Sequence, residues 1–463
     1  MAATTLYDLP ATALLDAYRR RALSPVEVTR AVLDRIAAWE PALGAIFCQH
    51  QERALADAAA AERRWRDGAP MGALDGVPIT IKDLIATAGD PTPVGTAATE
   101  LIPAAADAPP AARVREAGAV VVGKTTMPDY GMLSSGTSSY HPTGRNPWNL
   151  TLSPGGSSGG AGAAAAAGMG PLHIGTDIGG SVRLPAGWCG IFALKPSLGR
   201  IPIDPPYIGR VAGPMTRSVA DAALLMSVLS RPDARDHMAL PPAEIAWGDL
   251  AFDPRGKRIG LMMTAGCGLA VEPEVSEAVH AAAAAFEAAG AVVEKVQPFL
   301  TLELLEGLDL FWRTRFWAQL VHMADARKAR ILPFIRAWVE GARGVDGLAV
   351  YNGFDCIMRL RALGNAALQG FDYWLSPTAP LPAFPAELPC PTNDVTRPFD
   401  HIAFTVPFNM TEQPAASINC GFTSTGLPIG LQIAGHRFDD IGVLRMAAWY
   451  EAARGGQRAW PEP

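Results

Sequence analysis

The chain has 463 residues, of which 49% are hydrophobic and 18% are charged. This length permits one large domain or two to three smaller ones, and the composition is typical of a folded protein rather than a disordered one. The net charge of −6 is not accompanied by a block of basic residues, which argues against nucleic acid as a direct ligand.

Helical patterns dominate the N-terminal segment, residues 1–68. Ser24, Pro25 and Glu27 combine an N-cap serine, a proline at the first helical position and a glutamate at the third. Residues 76–85 and 119–125 are then short β-rich stretches bounded by glycine and proline, with a loop and a helix predicted between them. This alternation predicts an α/β architecture with a central sheet.

The second half of the chain continues the alternation. Its predicted elements are helices over 161–167 and 219–229, strands over 258–263 and 426–435, and a long amphipathic helix over 271–290. No internal repeat or clear linker interrupts the pattern, so we predict a single domain over residues 1–463.

Residues 300–345 are helical in pattern and unusually rich in aromatic side chains. These aromatic residues are Phe311, Trp312, Phe316, Trp317, Phe334 and Trp338. They fit either a helical core or the wall of a substrate pocket, since apolar side chains line most small-molecule sites.

Export, membrane and metal-site patterns are missing from the sequence. The first 21 residues have no continuous apolar core, and no stretch reaches the roughly 18 apolar residues that a spanning helix needs. The six cysteines include no C-x-x-C pair and the eight histidines no H-E-x-x-H motif. We therefore expect a cytoplasmic protein that uses no metal and no other cofactor and has no membrane partner.

Residues 153–170, SPGGSSGGAGAAAAAGMG, are the most unusual stretch. A flexible linker would lie between domains, whereas this stretch runs directly into a helix-forming alanine run. A phosphate-binding loop would require a lysine that the stretch lacks. Residues 155–159 match the nucleophile-elbow pattern G-x-S-x-G, with His401 or His436 as later partners, but turn residues rather than a strand precede them.

A second glycine–serine cluster, GTDIGGSVRLPAG, places Ser181 directly after two glycines and 24 residues beyond Ser157. Consecutive small residues let several backbone N–H groups converge on one point, as an oxyanion hole requires. Ser181 thus suits a nucleophile, which needs a base, and the candidates are His173 and Lys82. Lys82 is one of only six lysines in the chain, and lysine, unlike arginine, can lose its proton when buried.

The chain resembles the amidase signature family. Six segments carry the resemblance, in the family's order over about residues 70–230: GVPITIKD, VVGKTTMPDYG, SPGGSSGG, GTDIGGSVRLPAGWCG, LKPSLGR and GPMTRSVADAA. SPTAPLPAF and LPIGLQIAG are similar to later segments of the family. The resemblance implies an α/β fold in which helices cover both faces of a large central mixed β-sheet. It also implies a stand-alone bacterial amidase.

The resemblance further implies a Ser–cis-Ser–Lys triad. In it Ser181 is the nucleophile, Ser157 follows a cis peptide bond and relays the proton, and Lys82 is the base. Burial would lower the pKa of Lys82 from its unperturbed value of about 10.4. The backbone N–H groups expected to hold the oxyanion are those of Ile178, Gly179, Gly180 and Ser181.

Three further residues are expected to support the triad. We expect a structural role for Ser158. Asp177 and Arg183 either orient the two serines or form an ion pair that only holds the fold.

The reaction implied is hydrolysis of the C–N bond of a carboxamide through an acyl-enzyme. The same triad attacks esters and carbamates, urethanes included. The aromatic residues of 311–338 and 404–408 favour a small apolar or aryl amide or carbamate as the substrate. A homodimer is a further expectation.

The alternative is the glutaminase (A) subunit of a tRNA-dependent amidotransferase. Arg359 or Arg361 would then bind the charged groups of glutamine. The carboxylate which such proteins place before their T-x-P segment has no clear match here, since Ile402 and Ala403 stand close to that position and Asp400 lies a little upstream. A non-catalytic protein on the same fold is disfavoured because all three triad positions are filled.

Overall fold

The computed structural model describes residues 5–455 and 457–463, and an 11-stranded β-sheet runs through them. The strands are β1 (Ile46–Phe47), β2 (Pro78–Lys82), β3 (Val120–Thr125), β4 (Leu172–Asp177), β5 (Phe192–Lys195), β6 (Val211–Thr216), β7 (Arg258–Leu261), β8 (Val292–Lys295), β9 (Tyr373–Pro377), β10 (Ala415–Phe422) and β11 (Pro428–Gly435). Their order across the sheet is β1-β3-β2-β4-β6-β5-β10-β11-β9-β7-β8.

The sheet is mixed. β3, β2 and β4 run parallel to one another, as do β9, β7 and β8, whereas the strands between these two groups pair in antiparallel fashion.

The α-helices are α1 (Ala11–Arg19), α2 (Pro25–Leu43), α3 (Gln51–Arg66), α4 (Pro109–Glu116), α5 (Gly159–Ala167), α6 (Arg183–Cys189), α7 (Val219–Leu229), α8 (Pro273–Ala288), α9 (Leu302–Leu320), α10 (Asp325–Lys328), α11 (Pro333–Glu340), α12 (Gly347–Ala367), α13 (Val406–Met410) and α14 (Asp440–Ala453). Short 3-10 turns lie at Leu6–Asp8, Asp129–Gly131 and Asp400–Ile402.

Strand β5 shows how the helices are layered. Phe192 and Leu194 pack in the cluster that contains buried residues of α7, α8 and α14, whereas Ala193 between them packs with α5 and α6. Because successive side chains of a strand point to opposite faces, helices cover both faces of the sheet. The predicted α/β fold with a large central mixed sheet is therefore confirmed.

The N-terminal segment is mainly helical, as predicted, and its capping box forms. The Ser24 hydroxyl accepts from Val26 N at 3.0 Å, and the Glu27 carboxylate accepts from Ser24 N at 2.9 Å. The segment also contributes β1, which pairs with β3 and was not expected. A two-residue strand shows no alternation of polar and apolar residues, so its sequence carries no strand pattern.

The site is positioned by two neighbouring parallel strands. β2 ends at Lys82 and β4 ends at Asp177, and parallel strands bring their carboxyl ends to the same edge of a sheet. The loop after β4 leads to α6, and the loop before α5 approaches the same edge because α5 packs on β2, β3 and β4. Within the described ranges, no helix combines the length and apolarity that crossing a bilayer requires.

Candidate active site

Lys82, the last residue of β2, has a fully buried side chain. Its Nζ lies 2.8 Å from the hydroxyl oxygens of Ser157 and Ser158 and 3.0 Å from that of Thr176. Burial lowers the pKa of Lys82 to about 7, because the neighbouring carboxylates offset only part of the cost of burying a charge. A large fraction of Lys82 is therefore neutral at physiological pH.

Ser157 lies in the loop before α5, and the Gly156–Ser157 peptide bond is cis, as the resemblance implied. A Cβ added at Gly156 would lie 2.6 Å from the backbone of Leu133 and Ser135, so the loop accepts only glycine there. The Ser157 side chain contacts Lys82 and also lines a cavity at this edge of the sheet.

Ser158 joins three parts of the site. Its hydroxyl donates to the Thr176 carbonyl at 3.1 Å and accepts from Thr176 N at 3.2 Å, in addition to its contact with Lys82. Its backbone N–H donates to the Ser181 carbonyl at 3.1 Å. These contacts fit the structural role expected for Ser158, which stays a prediction.

Ser181 lies between β4 and α6 and lines the same cavity as Ser157. Within the described residues, the N–H groups of Ile178, Gly179 and Ser181 have no protein acceptor. They are thus available to a ligand next to the Ser181 hydroxyl.

Gly180 departs from the expectation that it contributes a donor to the oxyanion hole. Its N–H donates to Asp177 Oδ1 at 2.8 Å, and the residue does not line the cavity. Its φ of 127° is in the region that favours glycine, and a Cβ there would lie 2.5 Å from Thr405 Oγ1. We therefore remove Gly180 from the set of oxyanion donors.

Asp177 and Arg183 form an ion pair with both side chains fully buried. Asp177 also accepts from Gly180 N at 2.8 Å and from Val182 N at 3.1 Å, the two amides that flank Ser181. Burial alone would raise the pKa of Asp177, but the charge and hydrogen bonds of Arg183 hold it well below its usual range. These contacts fit both roles expected for the pair, and which role it has stays a prediction.

The ion pair also forms hydrogen bonds with residues from segments that are more than 200 positions away in the sequence. The sequence analysis did not predict these partners. Arg183 donates to the Thr405 carbonyl at 2.8 Å and to Gln432 Oε1 at 2.7 Å, and Asn409 Nδ2 donates to Asp177 Oδ1 at 2.8 Å. Thr176, which contacts Lys82, was also missed. Thr176 directly precedes Asp177 in the second glycine–serine cluster, so its position could have indicated a place in the site. No sequence pattern marked the distant partners of the ion pair.

The cavity has a volume of about 350 Å³. Ser157, Thr176 and Ser181 line it together with the aromatic residues Tyr130, Trp312, Phe316, Phe334, Trp338 and Phe399. Trp312 comes close to the loop of residues 178–181, because a Cβ added at Gly179 would lie 3.5 Å from its ring. The cavity therefore presents two serines and an aromatic wall to one ligand.

The aromatic wall only partly follows the sequence prediction. Four of the six aromatic residues in 300–345 line the cavity, but Phe311 packs against Phe354 with tilted rings, at 5.5 Å between ring centroids, and Trp317 is also outside the cavity. The prediction for residues 404–408 is wrong, because Phe404 and Phe408 are buried in the core behind the cavity wall. Phe399 and Ile402 line the cavity in their place.

The candidate residues for glutamine recognition do not reach the cavity. Arg359 pairs with Glu303 at 2.7 Å, and Arg361 pairs with Glu412 at 2.6 Å. Asp400 pairs with Arg397. None of these side chains lines the cavity.

The histidines of the rejected nucleophile-elbow interpretation also lie elsewhere. No strand precedes Ser157 within residues 141–156, and neither His401 nor His436 lines the cavity. His173 is fully buried between the Thr80 hydroxyl at 2.7 Å and the Gly170 carbonyl at 2.9 Å, and burial lowers its pKa to about 3. His173 therefore does not compete with Lys82 as the base.

One group of three metal-ligating side chains occurs in the described ranges, and it lies outside the cavity. It consists of Cys48, His50 and Asp90. Asp90 already pairs with Arg53 at 3.1 Å and with His50 at 2.7 Å. These contacts are those of an ion-pair cluster, and the absence of a metal requirement stays a prediction.

The arrangement at Lys82 allows proton transfer. A neutral amine can accept a proton from the Ser157 hydroxyl, and free backbone N–H groups can stabilise a negative oxygen beside Ser181. These are the requirements for attack of a serine on a carbonyl carbon.

Comparisons with known proteins agree with this chemistry. The Amidase family model matches residues 27–444. An acylamidase of Rhodococcus erythropolis is 33% identical, covering 98% of this chain and 97% of that protein. The A subunit of a glutamyl-tRNA(Gln) amidotransferase from Myxococcus xanthus (strain DK1622) is 35% identical, covering 92% of this chain and 93% of that protein.

Among solved structures, a bacterial aryl acylamidase of the amidase signature family matches with a TM-score of 0.90. The two proteins are 28% identical, and the match covers 97% of each chain. The fold, the site and these likenesses define an amide-hydrolysing enzyme. The chain belongs to the amidase signature family.

Proposed function

We propose that this protein is a self-sufficient amidase that cleaves the C–N bond of small aryl or apolar carboxamides through an acyl-enzyme. Ser181 is the nucleophile, Ser157 the relay and Lys82 the base. The observation that carries the proposal is the 2.8 Å contact of the buried Lys82 amine with Ser157, in a cavity that Ser181 also lines.

In the first step the Ser181 oxygen bonds to the substrate carbonyl carbon. The Ser181 proton passes to the Ser157 oxygen while the Ser157 proton passes to the neutral Lys82 amine. The carbonyl π electrons move to the oxygen, which the N–H groups of Ile178, Gly179 and Ser181 bind. Loss of one such donor costs about 3–4 kcal/mol of transition-state stabilisation.

In the second step the oxyanion collapses and the C–N bond breaks. The departing nitrogen takes a proton from Ser157, which regains one from the Lys82 ammonium, so the amine leaves in its neutral form. Water then attacks the acyl-enzyme with the same relay as its base, and the carboxylic acid is released. The free enzyme is restored with a neutral Lys82.

The aromatic wall supports aryl and apolar substrates, as do the names of the acylamidase and aryl acylamidase relatives. Esters and carbamates, urethanes included, present a carbonyl carbon with a leaving group to the same serine and belong to the proposed range. A cytoplasmic location and a homodimer stay predictions.

The glutaminase subunit remains the second candidate, because the amidotransferase subunit of Myxococcus xanthus is 35% identical. The pairing of Arg359 and Arg361 with glutamates outside the cavity weighs against it. Such a function would require partner chains and glutamine as the substrate.

The test uses the purified chain alone, with p-nitroacetanilide as substrate and without glutamine, ATP or partner chains. We expect p-nitroaniline release, and a decrease of at least about 10³-fold in kcat for Ser181→Ala because alanine has no hydroxyl to attack the carbonyl carbon. Ser227→Ala is the control, since it removes a hydroxyl on α7 that donates to the Leu224 carbonyl away from the cavity. Equal rates for Ser181→Ala and the parent would refute the nucleophile, and ammonia release from glutamine only upon addition of partner chains would favour the glutaminase.

A further inference from the structure

Two arginines, Arg210 and Arg315, line the cavity beside its aromatic wall. Arg210 directly precedes β6, and Arg315 lies on α9; both side chains are half-buried. Within residues 5–455 and 457–463 neither guanidinium pairs with a carboxylate, whereas the buried Arg183 and Arg200 pair with aspartates at 2.9 and 3.0 Å. The cavity thus contains two positive charges that the protein does not neutralise by an ion pair.

Neutral partners hold both guanidinium groups. Arg210 donates to the Pro205 carbonyl. The Arg315 guanidinium carbon lies 3.7 Å from the ring centroid of Tyr207 and 4.9 Å from that of Phe316. A guanidinium has five N–H donors, and these partners leave several of them for a ligand.

The register of the sheet places Arg210 close to the loop of residues 178–181. Val211 of β6 pairs with Asp177 of β4, and Asp177 directly precedes residues 178–181. Arg210 is the neighbour of Val211, and its charge contributes to the lowered pKa of Lys82. It therefore lies at the reactive side of the cavity.

Arg315 reaches the cavity from α9, the helix that also carries Trp312 and Phe316 of the aromatic wall. It is three residues beyond Trp312 on α9, so the two side chains share one face of the helix, and Trp312 lies next to Gly179. A ligand whose carbonyl carbon is at Ser181 can therefore contact the aromatic wall and the arginines at the same time.

Two positive charges in one partly buried cavity cost free energy when no ligand is bound. Burial lowers the pKa of Arg210 to about 10, and the nearby charge of Arg315 adds to the effect, whereas the more distant carboxylates of Asp236 and Asp204 oppose it without pairing with the guanidinium. Both groups nevertheless stay charged at neutral pH, so they repel each other in a partly desolvated cavity. A planar carboxylate removes this repulsion and matches the fork of guanidinium donors.

We propose that Arg210 and Arg315 bind a carboxylate on the non-reacting part of the substrate, so that the enzyme acts on amides that carry an anionic group as well as an apolar segment. This inference rests on the proposed amidase function and narrows its substrate class. The aromatic wall packs against the apolar segment, and the arginines select the charged end.

The test measures binding without turnover, in the Ser181→Ala background. The ligands are glutaranilate and the neutral primary amide of the same compound, which differ in charge but not in size. Tryptophan fluorescence reports binding, because Trp312 and Trp338 line the cavity. We expect the dissociation constant of the carboxylate to be at least about tenfold lower, as hydrogen bonds to charged groups allow.

Two variants and a control assign the preference to the arginines. Arg210→Met and Arg315→Met should each reduce the preference for the carboxylate about tenfold, whereas Arg336→Met, an exposed arginine on α11, should retain it. 4-Acetamidobenzoate, with the carboxylate on the amine side, is compared with 4-acetamidobenzamide in the same way. Equal affinities for the charged and neutral members of both pairs, or an unchanged preference in both arginine variants, would overturn the inference.

Activity measurements separate this inference from the proposed function. In the protein with Ser181 intact, Arg315→Met should raise KM for glutaryl-p-nitroanilide about tenfold while leaving kcat within about threefold. Arg210→Met should also raise KM, but its kcat is not a control because the charge of Arg210 contributes to the lowered pKa of Lys82. Anilide hydrolysis without any charge preference would overturn the inference alone. A charge preference in binding without hydrolysis of any anilide would overturn the proposed function and leave the carboxylate site standing.

Discussion

Lys82 and Lys195 are both buried lysines, and burial lowers the pKa of each to about 7. Their surroundings differ. Lys82 contacts three hydroxyl groups beside the cavity, whereas Lys195 Nζ donates to the Pro196 carbonyl at 2.9 Å and lines no part of the cavity. A lowered pKa therefore accompanies a proposed base in one case and a structural lysine in the other, and only the contacts distinguish them.

The pH dependence of kcat/KM should show an acid limb near pH 7. Lys82 acts as a base only when neutral, and its pKa of about 7 means that protonation removes activity as the pH falls through that value. Lys82→Arg should lower kcat/KM by about 10²–10⁴-fold at every pH, because arginine does not lose its proton. Rates between about pH 5 and pH 10 on p-nitroacetanilide measure both effects.

Lys195→Met is the matched control for this profile. It removes a lysine of equal burial and similar pKa, so an acid limb that persists near pH 7 in this variant assigns the limb to Lys82. Disappearance of the limb in Lys195→Met, or an unaltered profile in Lys82→Arg, would contradict the assignment of the base.

At the scale of elements, the position of the aromatic wall depends on how α9 packs against α12. The two helices approach closely at Gly307 and Gly353, since a Cβ added at Gly353 would lie 2.7 Å from the Gly307 carbonyl oxygen. α9 carries Trp312 and Arg315, so a shift of this helix moves both the wall and the proposed carboxylate site.

Gly353→Ala should therefore reduce the free energy of unfolding by about 1–3 kcal/mol, as overpacking does, and raise KM. Gly347→Ala, at the first residue of the same helix, is the control because no other part of the described chain, apart from its own chain neighbours and helix backbone, lies within 4 Å of its added Cβ. Urea unfolding and anilide kinetics on both variants make the measurement. Equal stability and KM in the two variants would show that the close approach does not hold α9 in place.

At the scale of the whole molecule, the N-terminal segment packs on the rest of the chain at several points. β1 pairs with β3, Arg35 Nε donates to the Ala167 carbonyl at 2.7 Å at the end of α5, and the Tyr18 hydroxyl donates to the Gly76 carbonyl at 3.3 Å. A single domain over the whole chain stays a prediction, and these contacts support it.

Removal of residues 1–68 should prevent folding of the remainder. Six apolar side chains of the segment are at most 3% exposed: Leu14, Val28, Val32, Ile36, Trp39 and Leu43. Burial of each such side chain contributes about 1.5–3 kcal/mol to the free energy of unfolding. The six together therefore contribute as much as the roughly 5–15 kcal/mol by which a whole domain is stable. Solubility, circular dichroism and activity of residues 69–463 test this, and an active, cooperatively folded fragment would show that the segment is a separate unit.

The sequence by itself determined most local elements and the composition of the site. The helix at 219–229 has the predicted bounds, and the capping box at Ser24 forms, because both depend on neighbours within one or two turns. Lys82, Ser157 and Ser181 could be predicted as site residues because each stands in a dense motif of glycine, serine or β-branched residues. Their proximity follows from two adjacent parallel strands that end at one edge of the sheet.

Tertiary structure alone decided which groups face the ligand. Gly180 was expected among the oxyanion donors, but its N–H is taken by Asp177. Residues 404–408 were expected at the pocket, but they pack in the core, while Arg210 and Arg315, which belong to no motif, both line the cavity. The physical reason is that a local pattern sets the conformation of its own segment only. The hydrogen-bond partner of an N–H group and the charges that line a cavity depend on segments far apart in the sequence, which come together only when the whole chain packs.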